Sequence, residues 1–404
     1  MAGENGGGTF VLAYAICILA IGIPLVVLEA SAGNLVKRGP VGMFRRINPR
    51  WGPWVGWSLV VMLIAIMSYY LVVTSWTLGY AVDAIRADLR PFEEFTAGFA
   101  SLWFFLAVAV LTFAVMRRGV RGLESMGKFL LPLLVVIVGG LAIYSQTLSG
   151  ASQARDFYFS FNLERFLELT TWRMAAGQAF YSLAIGQGFL ITYGSYIPKG
   201  VNIASSSAAV AGTNSVISIT AGLIVFPIVF TFGIAPDTGS ALSFTAFPMV
   251  FGEIAGGLFI GIAFYVLLFV AAFTSCVGGL ASVLAPIRDE FHLSRGWAAL
   301  AVVAIVTVLG IPSALSFTSV GLTVGGKPFL DVIDQVTGSG VVLVAGIVGA
   351  ALIAWLLPRR RLLAAINNHK RPAWLSTISE NWFILVGRYL LAAGVALLLA
   401  TYLF

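Results

Sequence analysis

The chain has 404 residues, 59% of them hydrophobic and 10% charged, with a mean hydropathy of +0.96. That is more apolar surface than a water-facing globule can hide, which excludes a soluble domain and points to an all-α polytopic membrane protein. The net charge of +7 does not mark a nucleic-acid binder, because the basic residues collect in alternate loops between apolar runs.

Ten apolar runs near or above the ~20 residues of a spanning helix follow one another. They lie at about 9–36, 54–86, 97–116, 127–148, 174–196, 203–233, 256–283, 297–317, 338–357 and 381–403. Lys37, Arg38, Arg45, Arg46 and Arg50 share a side with Arg117, Arg118, Arg121 and Lys128. Lys199, Arg288, Arg295, Arg359, Arg360, Arg361, Lys370 and Arg371 join them, making 17 of the 24 basic residues. These loops are therefore expected in the cytoplasm and the spans in the plasma membrane. That orientation puts residues 1–8 outside, where an earlier span would deliver them most simply.

The first run carries Tyr14 and Glu29. A glutamate at depth costs a few kcal/mol unless paired or wet, so Glu29 is expected to face the interior, serving function or capping exposed backbone. The second places Tyr69 and Tyr70 mid-span, where a hydroxyl needs a partner on a neighbouring helix or a ligand. Asp156–Leu169 reads as an amphipathic surface piece.

The fifth run, within Trp172–Tyr196, has Ser182, Gly186, Gln187 and Gly188 at its middle, where a plain anchor would carry Leu, Val and Ile. Glycines around a polar residue free main-chain groups, which survive in lipid only when buried in protein or lining a wet cavity. A helix broken there presents two opposed dipole ends suited to a small zwitterion and its cations. A glycine-rich packing seam has the same composition, and the stretch by itself favours neither reading.

In the next run Asn214 and Ser218 are four apart and share a face. The loop PDTGSALSFTAFPMVFGEIAGG reads as a re-entrant lid. Thr274 and Ser275 lie mid-span, where hydroxyls bond back along the helix or ligate a cation. Asp331 and Asp334 open the ninth run, and a basic linker from Pro358 to Glu380 precedes the last. Cys17 and Cys276 sit in apolar runs without metal-ligand spacing, and His292 and His369 fall in loops. With no nucleophile and base pair in the spans, no catalytic residue is expected.

Several stretches together resemble the neurotransmitter:sodium symporter family. They are ENGGG (Glu4–Gly8), IPLVVLE (Ile23–Glu29), YYLVVTSWTLGY (Tyr69–Tyr80), GQAFYSLAIGQG (Gly177–Gly188), TYGSY (Thr192–Tyr196), the Asn214 helix, FTSCVGG (Phe273–Gly279) and LDVID (Leu330–Asp334). The resemblance implies an inverted-repeat, leucine-transporter-like fold in one membrane domain. Residues 1–148 would form an incomplete first repeat of four spans, 172–357 a second of five, and 381–404 an extra span. The family's first helix is expected to be missing.

The resemblance further implies substrate contacts at Ile66, Tyr70, Tyr181, Ala184, Gln187 and Gly279. A first sodium site would use Ser182 and Asn214, a second the Ala271 carbonyl, Thr274 and Ser275. Chloride would be held by Tyr14, Gln178, Ser182, Asn214 and Ser218, since Ser218 replaces a glutamate of chloride-independent relatives. Asp334 matches an outer gate and Asp289 with Tyr196 an inner one; without arginine partners these aspartates are expected to be solvated. Small Gly279 and Ala184, with Gln187 in place of an aromatic, imply room for a larger or more polar substrate, or space that Tyr181 fills instead.

The expected function is sodium-coupled, chloride-dependent symport of an amino acid or related amine by alternating access, with Na+ and Cl- as co-ions and the bilayer as surroundings. A chain that begins at Met1 is expected to be inactive, since half of each ion site is absent. The alternative is a non-transporting paralogue that binds or regulates.

Overall fold

The computed structural model describes residues 2–198, 200–235, 244, 247–253, 256–366 and 382–389. The first span, α1 (Gly8–Val36), contains a π-helical turn at Ile18–Gly22. After it come the short α2 (Pro40–Ile47), the long α3 (Gly52–Ile85), α4 (Phe92–Ala97), α5 (Ala100–Arg117) and α6 (Val120–Ser145). Two surface helices, α7 (Ala151–Phe159) and α8 (Leu163–Leu167), stand where one amphipathic piece was expected.

The fifth run is two helices, α9 (Leu169–Ser182) and α10 (Phe189–Tyr196), with non-helical chain at 183–188. Then follow α11 (Ile203–Thr231), α12 (Phe247–Glu253), α13 (Gly257–Phe291), α14 (Arg295–Leu315), α15 (Phe329–Leu356) and α16 (Arg359–Ile366). Residues 382–389 are helical, and the rest of the tenth run lies outside the described residues, as do His369, Lys370 and Arg371.

Three spans outrun their apolar stretches, α6 by starting at Val120, ahead of the run expected from 127. α13 continues to Phe291 through Arg288, Asp289 and Glu290, because charged residues are good helix formers once they reach water. α15 starts at Phe329, directly after Pro328, and passes through a π-helical stretch at Asp334–Val341.

α3 and α13 cross at the centre and pack along much of their length. In its most apolar stretch α3 is 61% buried, whereas α6 is 11% buried, so α3 is the core post and α6 faces lipid. α10 lies against α1 backbone to backbone. A Cβ on Gly194 would meet the Ala30 carbonyl oxygen at 2.2 Å, so small residues set this approach. Asn34 Nδ2 fastens the far end by donating to the Gly194 and Ile197 carbonyls at 3.2 and 2.9 Å.

The end opposite the basic loops is closed by aromatic rings. Trp76 stands edge-on to Phe92 and Phe317 at 5.0 and 5.4 Å, and Tyr80 stacks on Tyr265 at 5.0 Å. Beside them Arg90 donates twice to Asp83, at 3.2 and 2.8 Å, and that carboxylate pushes the guanidinium above its ordinary value. Most of the stretch expected as a lid lies outside the described residues. Its described helix, α12, is docked on α13 by Phe247 against Phe264 at 5.0 Å.

Candidate functional site

The break between α9 and α10 is built from left-handed residues. Ala184 has φ 54°, and Gly186 and Gly188 have φ 76°. At Gly186 a Cβ would sit 2.3 Å from the Gly346 Cα and N, so α15 closes on the bare backbone. The freed Gly186 N–H donates to Glu29 Oε1 at 2.9 Å, fully buried. Of the two roles open to Glu29, capping exposed backbone is therefore the one its geometry shows.

One turn before the break, three side chains form a hydrogen-bonded chain. The hydroxyls of Tyr14 and Ser182 lie 3.0 Å apart, and Asn214 Nδ2 donates to Ser182 Oγ at 2.5 Å. Tyr14, Gln178 and Ser218 line one cavity of about 260 Å³ between α1, α9 and α11. Among the described residues, no acidic one lines that cavity. Ser182 and Asn214 also border a second cavity, of about 350 Å³, with Ala184 and Tyr193 on its wall.

Across from the break, α3 and α13 contribute Tyr70 and the hydroxyl pair. Thr274 Oγ1 donates to the Ala271 carbonyl at 3.0 Å, so those two oxygens share one spot on the helix face. Ser275 is exposed mid-helix and in polar contact with Tyr70. Ile66 is buried beneath them, Gln187 is buried within the break, and Tyr181 is 37% exposed. Gly279 leaves no free volume, in contrast to the expected roominess. Met67 Sδ would meet its Cβ at 2.3 Å and the Phe189 ring at 2.9 Å, so neighbouring side chains have filled the space.

The two aspartates expected at the gates, Asp289 and Asp334, are half-buried rather than solvated. Asp334 is half-buried, with the hydroxyls of Tyr69 and Tyr181 as its polar neighbours. Gly338 admits this approach, because a Cβ there would lie 2.5 Å from Asp334 Oδ1 and 2.6 Å from the Tyr69 hydroxyl. Asp289 lies 3.9 Å from Arg288, and Tyr196 stands near both.

The family model for the sodium:neurotransmitter symporter family matches residues 1–101 and 94–399. The chain belongs to that family. The symporter is 31% identical to an uncharacterized sodium-dependent transporter, YhdH, of Bacillus subtilis, over 96% of this chain and 88% of that protein. It is 27% identical to another of Haemophilus influenzae, over 95% and 88%. The crystal structure of MhsT in complex with L-phenylalanine superposes with a TM-score of 0.89 at 34% identity, covering 98% of the symporter and 92% of MhsT. The fold is thus that of the leucine-transporter-like proteins, and the symporter is a sodium-dependent transporter rather than an enzyme.

Two features of the symporter were not anticipated from its sequence. Arg45 on α2 grips Glu290 at the end of α13 through two hydrogen bonds, of 3.0 and 2.5 Å. Only their common place in basic-side loops could have hinted at it. Gly346, deep in an apolar helix, gave no sign that it faces the break.

Proposed function

We propose that the symporter moves an amino acid or a related small amine together with sodium, requires chloride, and works by alternating access in the plasma membrane with its basic loops in the cytoplasm. Residues 1–148, 172–357 and 381–404 are the first repeat, the second repeat and the extra span of one domain. The observation that carries the chloride requirement is the Tyr14–Ser182–Asn214 chain, whose Tyr14 opens on the cavity that also holds Gln178 and Ser218. All five side chains can donate a hydrogen bond, and no carboxylate accompanies them there. Such a donor set suits an anion, and sodium close by needs compensating charge in low dielectric.

The residues fit sodium as well. Ser182, Asn214, the Ala271 carbonyl, Thr274 and Ser275 offer hard oxygen ligands, and Asn214, donating through Nδ2, keeps its carbonyl oxygen for a cation. A bound sodium supplies positive charge that favours a substrate carboxylate nearby. Tyr70 and the freed main-chain groups at 183–188 are the hydrogen-bonding complement for that carboxylate and its ammonium. Ile66, Tyr181, Ala184, Gln187 and Gly279 form the side-chain pocket, and Tyr196, Asp289 and Asp334 the gates. MhsT, crystallised with L-phenylalanine, supports an amino acid as cargo.

The test is uptake of labelled L-phenylalanine and other neutral amino acids into proteoliposomes under an inward sodium gradient, by protein expressed from its native gene with the upstream DNA included. Sodium-dependent uptake that falls when gluconate replaces chloride is expected. Undiminished uptake in gluconate refutes the chloride requirement, and the absence of any sodium-dependent amino-acid uptake refutes the cargo.

A further inference from the structure

At the basic end of the bundle, the C-terminal ends of α1 and α15, together with α2 and α16, enclose a cleft of about 880 Å³. Arg38, Arg45, Arg46 and Arg361 line it, and among the described residues no Asp or Glu does. Arg45 is taken up by Glu290. The side chains of Arg38, Arg46 and Arg361 are exposed and make no hydrogen bond or ion pair among the described residues. The last carbonyls of α1 and α15 carry about half a negative charge each, which offsets roughly one of these three guanidiniums. The stretch 367–381 that follows α16 cannot supply the rest, since it brings Lys370 and Arg371 against Glu380 alone. The cleft therefore has a standing demand for an anion.

Its walls say which kind. Leu35 and Val36 end α1, Leu356 and Leu357 end α15, and all four line the same cleft. Leu356 is 48% exposed. An apolar wall does nothing for a free phosphate, whereas a lipid brings a phosphodiester and acyl chains together. The spans end here, at headgroup depth, and forked guanidiniums match phosphate oxygens in pairs. We propose that this cleft binds the headgroup of an anionic phospholipid, with its phosphate on Arg38, Arg46 and Arg361 and its chains leaving along Leu356.

Native mass spectrometry of the full chain released from detergent tests this. The probes are phosphatidylglycerol, phosphatidylcholine of the same chain length, and inorganic phosphate. One retained phosphatidylglycerol is expected, in preference to phosphatidylcholine and not displaced by millimolar phosphate. R38Q/R46Q/R361Q should weaken its retention about a hundredfold, at about fivefold per arginine removed. R38K/R46K/R361K should restore most of it, which shows that charge rather than misfolding is read. If the triple variant does not fold, R361Q alone should give a loss of about fivefold. Equal retention of the two lipids, or unchanged retention in the glutamine variants, overturns the proposal. Full displacement by inorganic phosphate overturns the lipid in favour of a small-anion site.

Discussion

Replacing Gly186 by Ala tests whether the break between α9 and α10 is held by backbone geometry. Gly186 has φ 76°, and a Cβ there would stand 2.3 Å from the Cα and N of Gly346. A left-handed alanine costs about 1–2 kcal/mol. Forcing a methyl against backbone that cannot rotate away adds about 1–3 kcal/mol. The sum is about 2–5 kcal/mol, concentrated where Glu29 caps the same residue. Gly177 is the control, nine residues earlier within α9, with nothing within 4 Å of its would-be Cβ. Gly177→Ala should be neutral or stabilising by up to about 1 kcal/mol. Thermal unfolding of the purified variants, followed by tryptophan fluorescence, reads the difference. A Gly186→Ala melt matching that of Gly177→Ala would mean that the break relaxes freely and is no rigid element.

Ser218→Glu places a carboxylate on the Tyr14–Gln178 cavity and should make uptake independent of chloride; persistent dependence would count against that cavity as the anion site. Glu29→Ala strands the buried Gly186 N–H and should cost about 1–3 kcal/mol in the same melts, whereas Glu29→Gln keeps an acceptor oxygen and should cost less. Equal melts for the two would show that the capping bond contributes nothing. The Arg45–Glu290 pair is partly solvated, with side chains 47% and 18% exposed. A double-mutant cycle with Arg45→Gln and Glu290→Gln should give a coupling of no more than about 1 kcal/mol, and a value of 3 kcal/mol or more would mean a far drier interface.

Hydropathy alone located the long spans to within a few residues over most of their ends, because the bilayer's thickness selects apolar runs of one length. It erred at the start of α6, the end of α13 and the start of α15, where the helix continues past the hydrocarbon and polarity no longer reports on backbone state. The break at 183–188 was only half legible, since glycines around a polar residue in mid-membrane fit a broken helix and a packing seam equally, and the non-helical chain decides for the break. The family motifs supplied the residues expected at the ion sites, and the structure brings three of them, Tyr14, Ser182 and Asn214, into one hydrogen-bonded chain.

What the sequence could not decide is which distant group meets which. Glu29 and Gly186 are 157 residues apart, and nothing near either names the other. Gly279 reads as free volume until Met67 and Phe189 are seen to fill it. Asp334 reads as a surface charge until Tyr69 and Tyr181 are found beside it. Likewise the three arginines belong to two distant loops, Arg38 and Arg46 to one and Arg361 to the other, and become one cleft only when α1 and α15 end side by side. Span length is fixed by each segment's own encounter with the bilayer, so the sequence by itself determined it. Caps, filled spaces and charge clusters arise from how helices pack against one another, so only the tertiary structure decided those.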